Sequence, residues 1–184
     1  LYISQPLLRY YSLNSSIADF GFFLNNIFIS QNNIYNIFNI HSSPLTIIYI
    51  LLFKFVDTNL FAYIILLSQS AIYIFSGWII FRYTNLFYAF CFIIYFQNFI
   101  VNNFDFHIDV FIIPLNLFFF IFYEKKKIFL YTFFAIAPIF VKEIFAIQTI
   151  FFGIFIILDN LFRGSLGNKN LLISLFTIFL GFST

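Results

Sequence analysis

An unbroken run of 22 residues without a charged side chain, from Leu60 to Phe81, is the feature that most constrains the fold of this chain. As an α-helix rising about 1.5 Å per residue, the run would be roughly 33 Å long, and the hydrocarbon layer of a bilayer is about 30 Å thick. Charged residues make up only 9% of the chain, against about 25% in a typical soluble domain. We therefore predict an integral membrane protein with transmembrane helices.

Four more apolar runs predict further membrane-spanning helices, and a last apolar stretch begins at Leu171. The predicted spans after the first cover residues 86–101, 110–123, 128–141 and 144–158. Because the chain begins at Leu1 and contains no Met, we expect it to be a part of a longer multi-pass protein. The predicted fold class is all-α, a polytopic transmembrane helical bundle. We predict one partial domain over residues 1–184, with an outer loop at 1–57 and transmembrane helices at 60–184.

The first 57 residues are the polar part of the chain, and we predict that their helices lie on the membrane rather than cross it. Between Ser15 and Ser30 the apolar side chains recur at helical spacing, which is typical of a helix at the membrane surface. The run from Pro44 to Val56 is apolar but only 13 residues long. As a helix it would reach roughly 20 Å, so we predict a re-entrant or interfacial helix there.

Basic residues predict the orientation, because they accumulate on the cytoplasmic side of membrane proteins. If Lys125–Lys127 lies inside, then Arg82, Arg163 and Lys169 fall inside as well. The segments that then face outward are residues 1–57, 102–109 and 142–143. If residues 44–56 crossed the membrane instead, residues 1–43 would move to the inside.

Five polar features of this largely apolar chain fall at the predicted outer face. Four are short motifs, here called the first to the fourth motif: Asp19-Phe20-Gly21, His41-Ser42-Ser43-Pro44, Asp105-Phe106-His107-Ile108-Asp109 and Lys142-Glu143. The fifth is the lone Lys54. Charge in or beside a bilayer is costly and usually marks a pathway or a reaction site. The sequence therefore predicts one aqueous mouth surrounded by these side chains.

The order and spacing of the four motifs resemble a family of bacterial multi-pass proteins, domain of unknown function 2079, which belongs with the GT-C superfamily of membrane glycosyltransferases. The family pattern is similar to Asp-Leu-Gly-Ile-Phe-Asp-Gln, His-Phe-Ser-Pro, Phe-Asp-Phe-His and Lys-Glu. This chain has Asp19-Phe20-Gly21-Phe22-Phe23, His41-Ser42-Ser43-Pro44, Phe104-Asp105-Phe106-His107 and Lys142-Glu143. It departs from the pattern at Leu24-Asn25, where the family has an acidic residue and Gln, and at Ser42, where the family has an aromatic residue.

This resemblance implies a membrane glycosyltransferase in the bacterial inner membrane. Such a protein takes a sugar from a polyprenyl-phosphate carrier and passes it to an acceptor on the outer face. The resemblance implies that Asp19 acts as the base or orients the acceptor, and that Asp105 is the acidic residue of the second outer loop. Membrane lipid and a lipid-linked sugar are then the partners, while the sugar, the acceptor and the oligomeric state stay open.

The chemistry of the residues agrees with these roles. Sugar transfer needs a carboxylate to accept the proton of the nucleophile, and cations to hold the charge of the departing phosphate. Lys142 is the first candidate cation, and Arg9 is a secondary one. We predict catalytic roles for Asp19 and Asp105. The residues predicted to bind substrate are His41, Lys54, His107, Lys142 and Glu143.

Each motif also has a simpler interpretation. Asp19 is a common type of residue at a helix N-terminus, and Pro44 suits the first turn of a helix. Lys142-Glu143 could be an ion pair at the membrane interface, where such pairs contribute little. The third motif offers oxygen and nitrogen ligands for a divalent cation, but a solvated loop is simpler because no fourth ligand is evident. We therefore predict no metal ligand, and the cofactor requirement stays open.

Two other classes of function remain beside the transferase. A transporter or lipid flippase would use Asp105, His107 and Lys142 as a relay, and it would place ionisable residues near the middle of the bilayer. A non-catalytic membrane protein would keep the fold without the chemistry. A nucleic-acid partner is not expected, because no basic stripe exists beyond Lys125–Lys127. A disulfide within the chain is excluded, because Cys91 is its single cysteine.

Overall fold

The computed structural model describes residues 4–11, 19–30, 43–95, 106–164 and 167–183. Every regular element in these ranges is a helix, as predicted. The chain divides into two compact units: residues 1–40 with 45–114 form unit 1, and residues 41–44 with 115–184 form unit 2. The division into an outer loop and transmembrane helices at about residue 57 stays a prediction.

The described residues of unit 1 form five α-helices and a short 3₁₀ turn, followed by the start of a sixth helix. The helices are α1 (Ser4–Tyr11), α2 (Asp19–Ser30), α3 (Thr46–Phe53), α4 (Thr58–Tyr83) and α5 (Leu86–Ile94). The 3₁₀ turn, Ile108–Phe111, leads into α6 (Ile112–Glu124), which continues into unit 2 after Pro114. The helix predicted between Ser15 and Ser30 is observed as α2, although its expected start at residues 15–18 lies outside the described ranges. Its position on the membrane surface stays a prediction. α3 has only eight residues, so it agrees with the prediction that residues 44–56 do not cross the membrane.

Local capping explains where the long helix α4 begins and where the next helix starts. The Oδ1 atom of Asp57 accepts a hydrogen bond of 3.1 Å from the backbone N–H of Leu60. Asn85 caps α5 in the same way, accepting from the N–H of Tyr88 at 3.2 Å. Both bonds satisfy helix N–H groups that have no partner within the helix.

The core of unit 1 forms where α2, α3 and the first half of α4 meet. Its buried side chains are Ile27, Tyr49, Ile50, Phe61, Ala62, Ile65, Leu66 and Phe106. Phe106 comes from the third motif, far along the chain from the other members. The core therefore ties this motif to helices that precede it by at least 40 residues.

In unit 2, the described residues form the rest of α6 and four further helices. These are α7 (Ile128–Ile136), α8 (Pro138–Val141), α9 (Ala146–Phe162) and α10 (Asn168–Ser183), with a 3₁₀ turn at Glu143–Phe145. Its core holds Phe119 and Phe152, whose rings stack with their centroids 4.0 Å apart. Pro138 divides the apolar run 128–141 into two helices, because proline suits the first turn of a helix and breaks its interior.

Two helical stretches in the described part of the chain, Leu60–Tyr83 and Glu143–Phe162, are long and apolar enough to cross a membrane. Their outward-facing aromatic side chains agree with this, since Trp78 is 54% and Phe151 is 64% exposed. Large apolar surfaces of this kind mark contact with lipid or a partner. The helices at 86–94, 112–124 and 128–141 are shorter, and their passage through the bilayer stays a prediction.

Candidate functional site

The predicted site residues are described to different extents. His41 and Asp105 lie outside the described residues. Asp19 is the first residue of α2. Lys54 is exposed at the C-terminus of α3, where a lysine also interacts favourably with the last carbonyl groups of a helix. The other three, His107, Lys142 and Glu143, are half-buried.

In unit 1, the helix that starts at the first motif packs against the third motif. The rings of Phe23 and Phe106 lie 4.7 Å apart between centroids. Phe23 is four residues after Asp19 in α2, and Phe106 belongs to the third motif. The packing therefore joins helix α2, which begins at Asp19, to the described part of the third motif.

Tyr49 of α3 completes this aromatic cluster. Its ring meets those of Phe23 and Phe106 edge-on, at 5.7 and 5.4 Å, a geometry that aromatic rings favour. The Ser68 hydroxyl donates to the Ile65 carbonyl, so the hydroxyl of Tyr49 donates to Ser68 Oγ, at 2.9 Å. Burial raises the pKa of Tyr49 to about 12, and the phenol therefore keeps this proton at neutral pH.

The third motif is also held by a hydrogen bond to the long helix α4. The backbone N–H of His107 donates to Oε1 of Gln69 at 2.8 Å. Gln69 is only 1% exposed, and a buried amide of this kind needs partners to offset its desolvation. The bond fixes His107 where the chain enters the 3₁₀ turn Ile108–Phe111.

In unit 2, the second motif meets the fourth. The hydroxyl of Ser43 donates to the carbonyl of Val141 at 2.6 Å, and both residues are buried. Val141 is the last residue of α8 and directly precedes Lys142. The hydrogen bond therefore joins Ser43 of the second motif to the end of α8, directly before the break that carries Lys142 and Glu143.

The fourth motif interrupts the helices as the sequence predicted. Lys142 is extended, with φ −166° and ψ 144°, between α8 and the 3₁₀ turn at Glu143–Phe145. Its carbonyl accepts from the N–H of Phe145 at 3.0 Å. One carboxylate oxygen of Glu143, Oε2, is shielded from solvent. The break thus places a lysine and a glutamate, neighbours in the chain, between two helical segments of unit 2.

Replacing Ser43 by Ala should lower the free energy of unfolding by about 1 kcal/mol, because the buried carbonyl of Val141 loses its hydroxyl donor. Equilibrium unfolding in detergent micelles measures this change. Ser76→Ala is the matched control: Ser76 is also buried, but its hydroxyl bonds to Ile72 within the same helix. Because that carbonyl also belongs to the helix ladder, the control should lose less. Equal losses would contradict a specific role for the Ser43 bond.

The metal interpretation of the third motif is not tested, because Asp105 lies outside the described residues. Within the described ranges, no three His, Cys, Asp or Glu side chains come together to hold a metal ion. Asp109 stands in the 3₁₀ turn, and its Oδ1 atom is shielded from solvent. The cofactor requirement therefore stays open.

A second polar cluster lies at the predicted inner end of unit 2, and sequence reasoning missed it. The hydroxyl of Tyr123 donates to Asp159 at 2.7 Å and accepts from the amide of Asn160 at 3.0 Å. Asn170 donates to the Asn160 side chain at 2.8 Å and accepts from the hydroxyl of Tyr131 at 3.2 Å. The four helices α6, α7, α9 and α10 are thereby connected through side chains alone.

Arg163 lies at the solvent-exposed edge of this cluster. Its guanidinium contacts Asp159 at 2.8 Å and Glu124 at 3.1 Å. Hydrogen bonds to these two carboxylates raise the pKa of Arg163 above its usual value. Because Arg163 and Glu124 are largely exposed, the pairs position the side chains more than they stabilise the fold.

The prediction of a loop from Asp159 to Asn170 was wrong at both ends. Helix α9 continues through Phe162, and α10 already begins at Asn168. The polar side chains find partners on neighbouring helices and one turn away, such as Arg163 with Asp159, so the helices need not end at them. The signal available in the sequence was that each of these polar residues falls within the first or last turns of an apolar run.

Comparisons of the chain with models of protein families, with curated proteins and with solved structures find no match.

Proposed function

We propose that this chain is part of a multi-pass glycosyltransferase of the GT-C type in a bacterial inner membrane. It would transfer a sugar from a polyprenyl-phosphate carrier to an acceptor on the outer membrane face. The polytopic bundle, the orientation and the transferase chemistry are all parts of this proposal. Its support comes from the way the four motifs are packed.

The observation that carries the proposal is the pairing of motifs that lie far apart in the chain. The helix that begins at the first motif is joined to the third motif by the Phe23–Phe106 ring contact at 4.7 Å. Ser43 of the second motif donates a hydrogen bond of 2.6 Å to Val141, which directly precedes the fourth motif. These contacts bring distant motif-bearing segments together within each unit, which supports the proposal.

In the proposed reaction, the first and third motifs supply the proton acceptor, and the second and fourth motifs supply positive charge. An acceptor hydroxyl attacks the anomeric carbon of the sugar, and its proton passes to the carboxylate of Asp19 or Asp105. The bond between the anomeric carbon and the phosphate oxygen breaks, and the electron pair leaves with the polyprenyl phosphate. Lys142 and His41 offer positive charge to that phosphate, with Lys54 and His107 as further phosphate or sugar ligands. Glu143 orients Lys142.

The transporter alternative receives less support from the described span. Transporters place ionisable side chains near the middle of the bilayer, but the run from Leu60 to Phe81 contains no charged residue. The buried polar residues of α4, Gln69, Ser70 and Ser76, are neutral. Ser76 bonds to the carbonyl of Ile72 in its own helix, and Gln69 holds the backbone of His107. Gln69 and Ser76 thus have structural hydrogen bonds, and the described span offers no charged side chain for an ion path.

The test measures whether the protein breaks the bond between the sugar and the phosphate of its lipid carrier. The full-length protein, reconstituted in vesicles with radiolabelled polyprenyl-phosphate sugars, should release polyprenyl phosphate and transfer the label to an acceptor. Vesicles without the protein are the control. If the label crosses the membrane while still attached to the carrier, the protein is a flippase. If the label neither moves nor leaves the carrier with any donor, the transferase assignment fails.

A further inference from the structure

A cavity of about 410 Å³ opens at the polar cluster of unit 2. Its wall combines two tyrosines, Tyr123 and Tyr131, with the amides of Asn160 and Asn170. Tyr131 and Asn160 are almost fully buried, at 3% and 6% exposed, and hydrogen bonds hold them in place. The volume falls within the range of small-molecule sites, roughly 300–1,000 Å³. The cavity is thus a preformed pocket with hydroxyl and amide groups in its wall.

This pocket is separate from the fourth motif, although both belong to unit 2. It lies at the first turn of α7 and the last turns of α9, whereas Lys142 and Glu143 lie at the opposite ends of the same run of helices. The 14 residues from Ile128 to Val141 extend roughly 20 Å as helix. The pocket is therefore distinct from the residues of unit 2 that take part in the proposed reaction.

Lys126, which lines the pocket, has a backbone conformation that lysine seldom adopts. Its φ is 53°, in the left-handed region that glycine normally occupies after a helix. The N–H of Lys126 bonds to the carbonyl of Tyr123, and the N–H of Lys127 bonds to that of Phe122, which together end α6 in a Schellman motif. Glycine would fill this position without strain. A strained lysine at the edge of a pocket suggests that its charge is used there.

One cation in the wall of the pocket favours an anionic ligand. The lining includes the cations Lys126 and Arg163 and the carboxylates Glu124 and Asp159. Both carboxylates contact Arg163. Within the described part of the chain, this leaves Lys126 as the lining cation that an incoming anion would meet first. The hydroxyl and amide groups deeper in the wall suit a partner with hydroxyl groups.

One apolar side chain of the lining, with two exposed ones next to lining residues in the chain, indicates that the ligand also has an apolar part. Ile128 belongs to the pocket wall, and Phe129 next to it is 81% exposed. Phe162, which precedes Arg163 in the chain, is 88% exposed. A soluble phosphate compound would leave these side chains without a partner, whereas the acyl chains of a lipid would cover them. Basic pockets between membrane helices on the cytoplasmic side are typical sites for anionic lipid headgroups.

We infer that this pocket binds the headgroup of an anionic phospholipid, with Lys126 at the phosphate and Tyr131, Asn160 and Asn170 facing the headgroup hydroxyls. Phosphatidylglycerol is the simplest lipid with this chemistry. The inference uses the proposed multi-pass arrangement, which puts the pocket on the inner face, but it does not depend on the transferase chemistry. The lipid would act as a bound structural or regulatory partner at the face opposite to the proposed reaction.

The test is lipid retention by the full-length protein with Lys126→Gly. Protein extracted from vesicles of phosphatidylcholine mixed with phosphatidylglycerol is examined by native mass spectrometry, together with its thermal unfolding midpoint. Wild-type protein should retain phosphatidylglycerol in preference to phosphatidylcholine. Lys126→Gly should bind phosphatidylglycerol about fivefold more weakly, as expected for one lysine at a lipid surface. Without added phosphatidylglycerol, its unfolding midpoint should not fall, because glycine relieves the left-handed strain.

Lys125→Gln is the matched control, because it removes the same charge from the neighbouring residue, which does not line the pocket. Its retention of phosphatidylglycerol should stay close to that of the wild type. Equal losses in both variants, or no loss in Lys126→Gly, would overturn the inference. Displacement of the lipid by free glycerol phosphate at equal concentration would also overturn it, in favour of a soluble ligand. Asp19→Asn should retain the lipid as the wild type does. Lipid retention and sugar transfer are therefore independent measurements, and the transferase proposal can fail without the lipid inference failing.

Discussion

Replacing Asp19 by Asn is expected to lower sugar transfer by about 10²–10⁴-fold, the usual contribution of a general base, while the protein still inserts into the membrane. An amide cannot accept the proton of the acceptor hydroxyl, so the nucleophile stays weak. Asn is also among the best residues at a helix N-terminus, and helix α2, which begins at Asp19, should keep its start. The initial rate of label transfer, divided by the amount of protein in the membrane, measures the effect.

Asp57→Asn is the control for this substitution. Asp57 is an exposed residue whose Oδ1 atom accepts the N–H of Leu60 at the start of α4. The amide oxygen of Asn can accept the same bond, and Asp57 belongs to none of the four motifs. Transfer by this variant should stay near the wild-type rate. Full activity in Asp19→Asn would remove Asp19 from the mechanism, and equal losses in both variants would point to a general effect of charge.

Features decided by local chemistry could be predicted from the sequence. The uncharged run from Leu60 to Phe81 predicts a long apolar helix, and Thr58–Tyr83 is one. The short run after Pro44 gives a helix of eight residues. The charged pair at Lys142-Glu143 interrupts the helices where expected. In each case, the length of an apolar run or the position of a charged pair is enough to predict the local structure.

The partners of the motifs could not be predicted, because they depend on packing between distant segments. Ser43 bonds to Val141, 98 residues later in the chain, and nothing in either local sequence indicates the other. The same holds for Gln69, whose side chain accepts from the backbone of His107. A glutamine inside an apolar run signals that a partner exists, but not which group it is. The structure thus supplies pairings that motif order alone lacks.

At the polar ends of α9 and α10, the sequence predicted a loop where the structure has helix. Asp159, Asn160 and Asn170 interrupt an apolar sequence and therefore resemble loop residues. In the fold they are helical, since Tyr123 and Tyr131 of neighbouring helices provide their hydrogen-bond partners. A polar residue at the end of an apolar run has two uses, ending the helix or joining it to another. Only the neighbours in space distinguish these uses.

Helices α9 and α10 pack closely against each other at two glycines. A Cβ atom added to Gly153 would lie 2.8 Å from the backbone carbonyl oxygen of Ser174 and 2.7 Å from Thr177 Oγ1. A Cβ atom on Gly181 would lie 2.7 Å from the carbonyl oxygen of Ala146. Real Cβ atoms do not approach so closely, and backbone atoms cannot move aside as side chains do. Small residues at such contacts let membrane helices approach each other.

Gly153→Ala is therefore expected to lower the free energy of unfolding by about 1–3 kcal/mol, the usual cost of overpacking. This loss should appear although Ala in place of Gly favours an isolated helix by about 1 kcal/mol. Equilibrium unfolding in detergent micelles measures the change. Gly77→Ala in α4 is the matched control, because the new Cβ would meet the Ile93 side chain at 3.0 Å rather than backbone. That side chain can shift, so the control should be neutral or stabilising, and an unchanged Gly153→Ala would mean that α9 and α10 are not in close backbone contact.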